Sequence, residues 1–322
     1  MLKSALQIIA NPAAASGRSQ KTIRQIQKYL KQHHYAYHLH LTSPQGAQAL
    51  TRKIINAGTS TDTSSKIIIV GGDGTLNQAL NGLRQSLNPS LPLGYLPAGS
   101  GNDFANALGL KRYKITQLLE EMIQVSTPVW LNLGHVTGLA QSKFFINNFG
   151  MGLDAQIIKG VTQSSVKTVF NHLHLSKLIY LSQVYFALKQ PRFRVELSFA
   201  DQQKHFENIF LCMVANQPYI GGGVRLVPPE SIQARSLRIV IADQLPFTEL
   251  IKIIIKIFTD GSHLASPFVH TYELHDFSVH AVPAQIAQMD GELIIPPQEK
   301  LNFTSTPQAF WLPKTYLKSL PD

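Results

Sequence analysis

The sequence predicts an α/β domain on a parallel, Rossmann-like sheet, followed by a larger, β-rich, antiparallel domain of sandwich type. Three observations carry this. Through residues 1–127, short apolar runs alternate with stretches of helical period, which is how parallel strands with crossover helices read. From about Pro128 strand-like runs recur with few helices between them. Glycine-rich turns follow the apolar runs of the first part, at the edge of a parallel sheet where ligands bind.

The first strand, Leu6–Ala10, ends at Asn11-Pro12; its apolar stretch is too short for a signal peptide and Gln7 interrupts it. Ser19–Gln32 is helical, with Ile23, Ile26 and Leu30 on one face. Tyr35–Leu41 alternates as a strand, and Gln45–Ala57 is helical. Lys66–Val70 is a buried strand that runs into Gly71–Gly74 and a helix from Thr75. Pro92–Leu96 is another strand, ending in Pro97–Asp103 before a further helix. In the second part, strands are expected at Val129–Val136, Phe144–Asn148, Phe193–Phe199, Asn208–Val214, Leu237–Ala242, Phe277–Val282 and Leu293–Ile295. Helical patterns interrupt them near Ser176–Lys189 and Phe247–Phe258.

The 29 Lys and Arg against 19 Asp and Glu give a net charge of +10, which favours anionic partners such as nucleotides, acidic lipid headgroups or nucleic acid. No RRM, KH or zinc-finger pattern supports the last, so no nucleic-acid partner is expected. The single cysteine, Cys212, excludes an internal disulfide and sits in an apolar run, as a buried structural thiol would. No uninterrupted apolar run approaches the ~18 residues of a spanning helix. The expectation is a cytoplasmic chain that touches a membrane face only peripherally.

The strongest chemical signal is Ile67-Ile-Ile-Val-Gly-Gly-Asp-Gly-Thr-Leu-Asn77, a strand that enters three glycines around an aspartate as a helix begins. Glycines bring backbone N–H groups against an anion, and the helix adds unsatisfied donors and its positive dipole end. The loop has no lysine, so a divalent cation is expected to help neutralise phosphates, with Asp73 as its carboxylate. The competing reading is a plain turn with Asp73 as helix cap. Asn11–Ser19 and Gly94–Ala105 supply two more such turns on the same edge, and three together make a nucleotide crevice.

The turn N-P-x-x-x-x-G, then G-G-D-G-T-L-N, P-x-G-S-x-N-D-F-A, Asn148–Asp154, Asn216–Pro228 around Gly221–Gly223, and Met289-Asp-Gly-Glu292 follow one another along nearly the whole chain. In this the sequence resembles the diacylglycerol kinase-like lipid kinases, which include bacterial diacylglycerol kinases and the catalytic domains of sphingosine and ceramide kinases. The resemblance implies an N-terminal α/β domain over 1–127, a β-rich lipid-substrate domain over 128–305, and a segment 306–322 returning to the first. It implies ATP as donor, Mg²⁺ as cofactor and a lipid acceptor, foremost diacylglycerol giving phosphatidic acid, and leaves a homodimer open. Carried over by position, the nucleotide would be held by Asn11, Pro12, Ser16, Gly17, Arg18, Thr42, Gly71, Gly72, Asp73, Gly74, Thr75, Leu76, Asn77, Ser100 and Asn102. Asp73 and Asp103 would serve the metal. Asp290-Gly291-Glu292 would supply the base, with Glu292 favoured, Asp290 positioning the hydroxyl or a metal-bound water, and Asp73 next in line.

On chemical grounds an acid–glycine–acid tripeptide lets two carboxylates approach one point, although Asp-Gly equally favours a hairpin turn. Two departures from the family matter: Ser100 replaces a threonine, and Ala234-Arg235 stands where relatives carry an acidic turn for a structural Mg²⁺, so that second metal is not expected. Between Asp154 and Glu196 there is no acidic residue, and Lys159, Lys167, Lys177, Lys189, Arg192 and Arg194 accompany Leu175, Leu178, Ile179, Leu181, Tyr185 and Leu188. This reads as contact with an anionic membrane surface or as an ordinary core-packing helix. The rival functions are a kinase of a soluble acceptor such as NAD and a non-catalytic nucleotide- or lipid-binding regulator.

Overall fold

Strands covered on both faces can be apolar throughout, and two of the predicted runs behave that way: β1 (Leu6–Ala10) and β3 (Ile67–Gly71) are buried at every residue. In the computed structural model, which describes residues 5–59, 65–163, 192–227, 235–294 and 299–317, they form the centre of a parallel sheet. β2 (Tyr37–Leu41) lies beside β1, and β4 (Leu93–Pro97) beside β3, with Ile8 opposite both Leu39 and Ile68. The crossovers are helical: α1 (Ser19–Gln32), α2 (Ala47–Ile54), α3 (Asp73–Arg84), α4 (Asp103–Ala107) and α5 (Ile115–Gln124). α1 buries Ile23, Ile26 and Leu30, the face its spacing predicts.

The second part is antiparallel. Its strands are β5 (Val129–Thr137), β6 (Lys143–Phe145), β7 (Asn148–Gly152), β8 (Phe193–Phe199), β9 (Gln202–Ala215), β10 (Tyr219–Ile220), β11 (Val224–Arg225), β12 (Leu237–Asp243), β13 (Val269–Leu274), β14 (Asp276–Val282), β15 (Ala287–Met289), β16 (Glu292–Ile294) and β17 (Leu301–Trp311). Two longer helices accompany them, α6 (Leu153–Gln163) and α7 (Phe247–Phe258). No helix among the described residues is long and apolar enough to cross a membrane.

β17 joins the two parts. Its first residues pair with β14, nearly its whole length pairs antiparallel with β5, and Phe310 and Trp311 pair parallel with Leu93 and Gly94 of β4. The hydrogen-bonded path therefore runs unbroken from β16 to β2, and a boundary at 305/306 falls inside a continuous strand. The strand also serves two cores: Phe310 packs with Phe104 and Ile68 beneath the parallel sheet, and Phe303 packs with Phe145, Phe149 and Phe277 among the antiparallel strands. Its end is held by Lys66, whose ammonium lies 4.5 Å from the Trp311 ring and donates to the carbonyls of Met122 and Ile123 at 2.7 and 3.0 Å. Burial lowers that ammonium to about 8.

The structure departs from the expected strand Phe144–Asn148, which is two strands with a break at Ile146-Asn147. The reason is local: the N–H groups of Ile146 and Asn147 donate to the Asp290 side chain instead of to a neighbouring strand. β13 was not expected, because Val269-His-Thr-Tyr-Glu-Leu274 is too polar to stand out. Cys212 is buried, its thiol pushed up to about 12. The expected helix Ser176–Lys189 lies outside the described residues.

Because Phe310 is fully buried where the two parts meet, Phe310→Ala should cost about 3–5 kcal/mol in equilibrium denaturation. A loss below about 1 kcal/mol would contradict the joining role given to β17.

Candidate functional site

The parallel strands end together, and three turns leave that edge. After β1, the Asn11 amide donates to Thr75 Oγ1 at 3.0 Å and its oxygen accepts the Ala13 N–H at 2.9 Å, so the first turn is tied to the second. Ala15 and Ser16 hold φ of 51° and 55° before Gly17, a left-handed pair that non-glycine residues adopt at a cost. After β3, α3 starts at Asp73, and its first N–H groups have no intrahelical acceptors. After β4, Asn102 closes its own turn: its oxygen accepts the Gly99 N–H and its amide donates to the Gly99 carbonyl, both at 2.9 Å.

The glycines of the second turn have different tasks. A Cβ at Gly72 would stand 3.2 Å from the Gly99 Cα, and one at Gly99 would fall on Gly72, so these two let the second and third turns touch. A Cβ at Gly74 would meet nothing within 4 Å. Gly74 therefore keeps space clear at the helix N-terminus, where an anion is best held.

Asp73 is a helix cap, though of a neighbouring helix. Its carboxylate accepts the N–H groups of Asp103 at 2.8 Å and Phe104 at 3.2 Å, at the start of α4. Burial raises its pKa, with a smaller push from Asp103. The Asp103 carboxylate is buried; one oxygen accepts the Gly222 N–H at 2.9 Å and the other has no hydrogen-bond partner. An orphaned carboxylate oxygen beside a second carboxylate is a donor set that suits a hard divalent cation whose remaining ligands are phosphate and water. Among the described residues no cluster of three or more His, Cys, Asp or Glu could hold a metal unaided. Of the Ala234-Arg235 pair only Arg235 is described, and it is exposed.

Asp290-Gly291 is also the hairpin turn that competed with the catalytic reading: Met289 pairs with Glu292, and both turn residues have positive φ. The turn nevertheless reaches the glycine-loop helix. Asp290 accepts from the Asn77 amide at 2.7 Å and from the backbone N–H groups of Ile146, Asn147 and Asn148 at 2.8, 2.8 and 3.0 Å. Burial pushes its carboxyl up to about 7 while those backbone donors pull it back. Glu292 is exposed and accepts from the Gln78 amide at 3.0 Å; the Gln78 oxygen in turn accepts the Ala47 N–H, at the start of α2. The tripeptide stands against the second turn of α3, where Asn77 and Gln78 lie.

The remaining sequence candidates divide by side chain. Ser16, Arg18 and Ser100 are exposed on the turns, and Pro12, Gly17 and Thr42 are half-buried beside them. Thr75 is turned inward to Asn11, Leu76 points into the core, and Asn77 points to Asp290, so at those positions only the backbone faces the edge. Sequence reading missed Asn81, which exchanges two 2.9 Å hydrogen bonds with the Phe144 peptide, and Gln78. The available signal was polar residues recurring at helical spacing on a helix buried along most of its length.

Comparison with known proteins agrees with this fold. The family model described as the diacylglycerol kinase catalytic domain matches residues 5–129, and that of the YegS C-terminal NAD kinase beta sandwich-like domain matches residues 150–312. The chain is 27% identical over 293 residues to the Bacillus subtilis protein named "Putative lipid kinase YtlR", covering 89% of this chain and 92% of that one. It is 26% identical over 286 residues to a "Diacylglycerol kinase" of the same organism, covering 88% of each. A crystal structure described as a "putative diacylglycerol kinase" from Bacillus anthracis shares the fold, with TM-score 0.70 at 18% identity over 98% of this chain and 97% of that one.

Gly74→Val should abolish ATP binding in calorimetry while leaving the melting temperature within a few degrees. Gly72→Val should lower the melting temperature as well, since it forces the second and third turns apart. Normal ATP binding by Gly74→Val would contradict the place given to the phosphates.

Proposed function

This chain belongs to the diacylglycerol kinase-like lipid kinases, and from that premise we propose that it transfers the γ-phosphoryl group of ATP to a lipid hydroxyl, with diacylglycerol as acceptor and phosphatidic acid as product. One observation carries the reading. α3 begins in the glycine loop, and one turn further along it Asn77 and Gln78 bond the two carboxylates of the Asp290–Glu292 turn. A single rigid helix thus spans the distance between donor and base, and phosphoryl transfer depends above all on such positioning.

In this reading the phosphates rest on the N-terminal N–H groups of α3, between the turns of Asn11–Gly17 and Pro97–Asn102. Asp103 and Asp73 would hold Mg²⁺, which when bound neutralises charge on the phosphates. Glu292 takes the proton of the acceptor hydroxyl, because its carboxylate is exposed and accepts one hydrogen bond from Gln78. Asp290 does not, since four N–H groups already occupy the acceptor capacity of its two oxygens. Its task is to hold the turn against α3.

Support for a lipid acceptor comes from the named relatives and from α7, where half-exposed Ile255 and Phe258 adjoin Lys252 and Lys256. That mixture of apolar and basic side chains suits peripheral contact with an anionic membrane face. A soluble acceptor such as NAD is the second reading, favoured by the description of the family model that matches residues 150–312.

With ATP and Mg²⁺, the purified chain should phosphorylate a neutral lipid presented in mixed micelles, and diacylglycerol before sphingoid bases or polyprenols. Glu292→Gln should cut turnover at least about a hundredfold while ATP affinity stays nearly unchanged. Phosphorylation of NAD with every lipid untouched would overturn the acceptor, and near-normal turnover by Glu292→Gln would overturn the base.

A further inference from the structure

The stretch Asn148-Phe-Gly-Met-Gly-Leu-Asp154 stands out in the sequence, yet none of its side chains has a part in the reading above. Its geometry supplies one. Gly150 of β7 lies directly opposite Gln288 of β15. A Cβ at Gly150 would fall on the Asp154 carboxylate, so the missing side chain is what lets Asp154 lean back from the first turn of α6 over the strand. There it meets Gln288, which is 2% exposed. The Gln288 amide nitrogen donates to Asp154 and to the Asn148 side-chain oxygen, and the Gln288 oxygen accepts the Gly291 N–H at 2.9 Å. Gly291 is the middle residue of the Asp290–Glu292 turn.

We propose that Asp154 is a positioning residue for Glu292, acting through Gln288 and the Gly291 amide; the proposal rests on the assignment of Glu292 as base. Hydrogen-bond polarity makes the link. A glutamine amide can sit either way round, and Asn148, an amide itself, can reverse to suit it. A carboxylate only accepts. With Asp154 in place, the Gln288 NH₂ must face it, which leaves the Gln288 oxygen to face Gly291. Reversed, the amide would set its oxygen against the Asp154 carboxylate and its NH₂ against the Gly291 N–H. Burial pushes the Asp154 carboxyl up to about 6, while the hydrogen bond from Gln288 pulls it back toward the ionised form.

The test moves the carboxylate across the pair. Asp154→Asn keeps the size but lets Gln288 reverse, and should lower kcat about 10- to 100-fold with the KM for ATP nearly unchanged. Gln288→Glu faces two carboxylates and should fall at least as far. The double variant, Asp154→Asn with Gln288→Glu, restores one acceptor-only group beneath Gly291 and should recover most of the kcat. Hydrogen exchange of the Gly291 amide should follow the same order: faster in each single variant and slow again in the double. A double variant as impaired as the worse single one, or unchanged kcat and Gly291 exchange in Asp154→Asn, would overturn the proposal. All variants are compared on whichever acceptor the wild-type chain phosphorylates, and Gly291 exchange needs no turnover. A wild-type chain that leaves lipids untouched therefore counts against the acceptor alone.

Discussion

Burying a carboxylate requires that its oxygens be met by donors, and Asp290 makes that demand where the two parts of the chain join. Three of its donors are the backbone N–H groups of Ile146, Asn147 and Asn148, and the fourth is the amide of Asn77. The requirement breaks one expected strand into β6 and β7. It also fixes α3 against the antiparallel strands, where Asn81 adds its own pair of bonds to the Phe144 peptide. Removing one donor would leave a buried acceptor short, at about 1–3 kcal/mol, so the joint is polar without being loose. Glu292, two residues on, inherits its place from this arrangement.

The second constraint is covalent continuity through β17. A strand that pairs with β5, β14 and β4 and packs Phe303 and Phe310 into different cores couples the glycine turns to the Asp290 turn through sheet as well as through α3. Gly222 adds a contact from the antiparallel side, donating to Asp103 at the third turn. The edge of the parallel sheet is thus closed by groups from both parts of the chain.

Much of this was legible in the sequence. The fully apolar runs of β1 and β3, the spacing of Ile23, Ile26 and Leu30, and the glycine turns announce a parallel sheet with three turns leaving one edge, because each follows from local rules. The partners of Asp290 and the reach of Asp154 were not legible. They pair residues more than a hundred positions apart, and no local pattern encodes them. The dual nature of Asp290-Gly291 shows the limit well: the hairpin reading was right about the backbone, and only the tertiary contacts with Asn77 and Gln78 say what the side chains do there. Short polar strands such as β13 escaped for a simpler reason, since their residues lack the alternation that marks a half-buried strand.

In the proposed transfer, one helix would hold both the donor phosphate and the base. The most direct test is a crystal structure with Mg²⁺, a non-hydrolysable ATP analogue and a short-chain diacylglycerol. The γ-phosphate is expected at the N-terminus of α3 beside Gly74, with the acceptor oxygen within hydrogen-bond reach of Glu292, about 2.6–3.2 Å. A nucleotide bound away from that helix end, or an acceptor hydroxyl with no contact to Glu292, would contradict that placement.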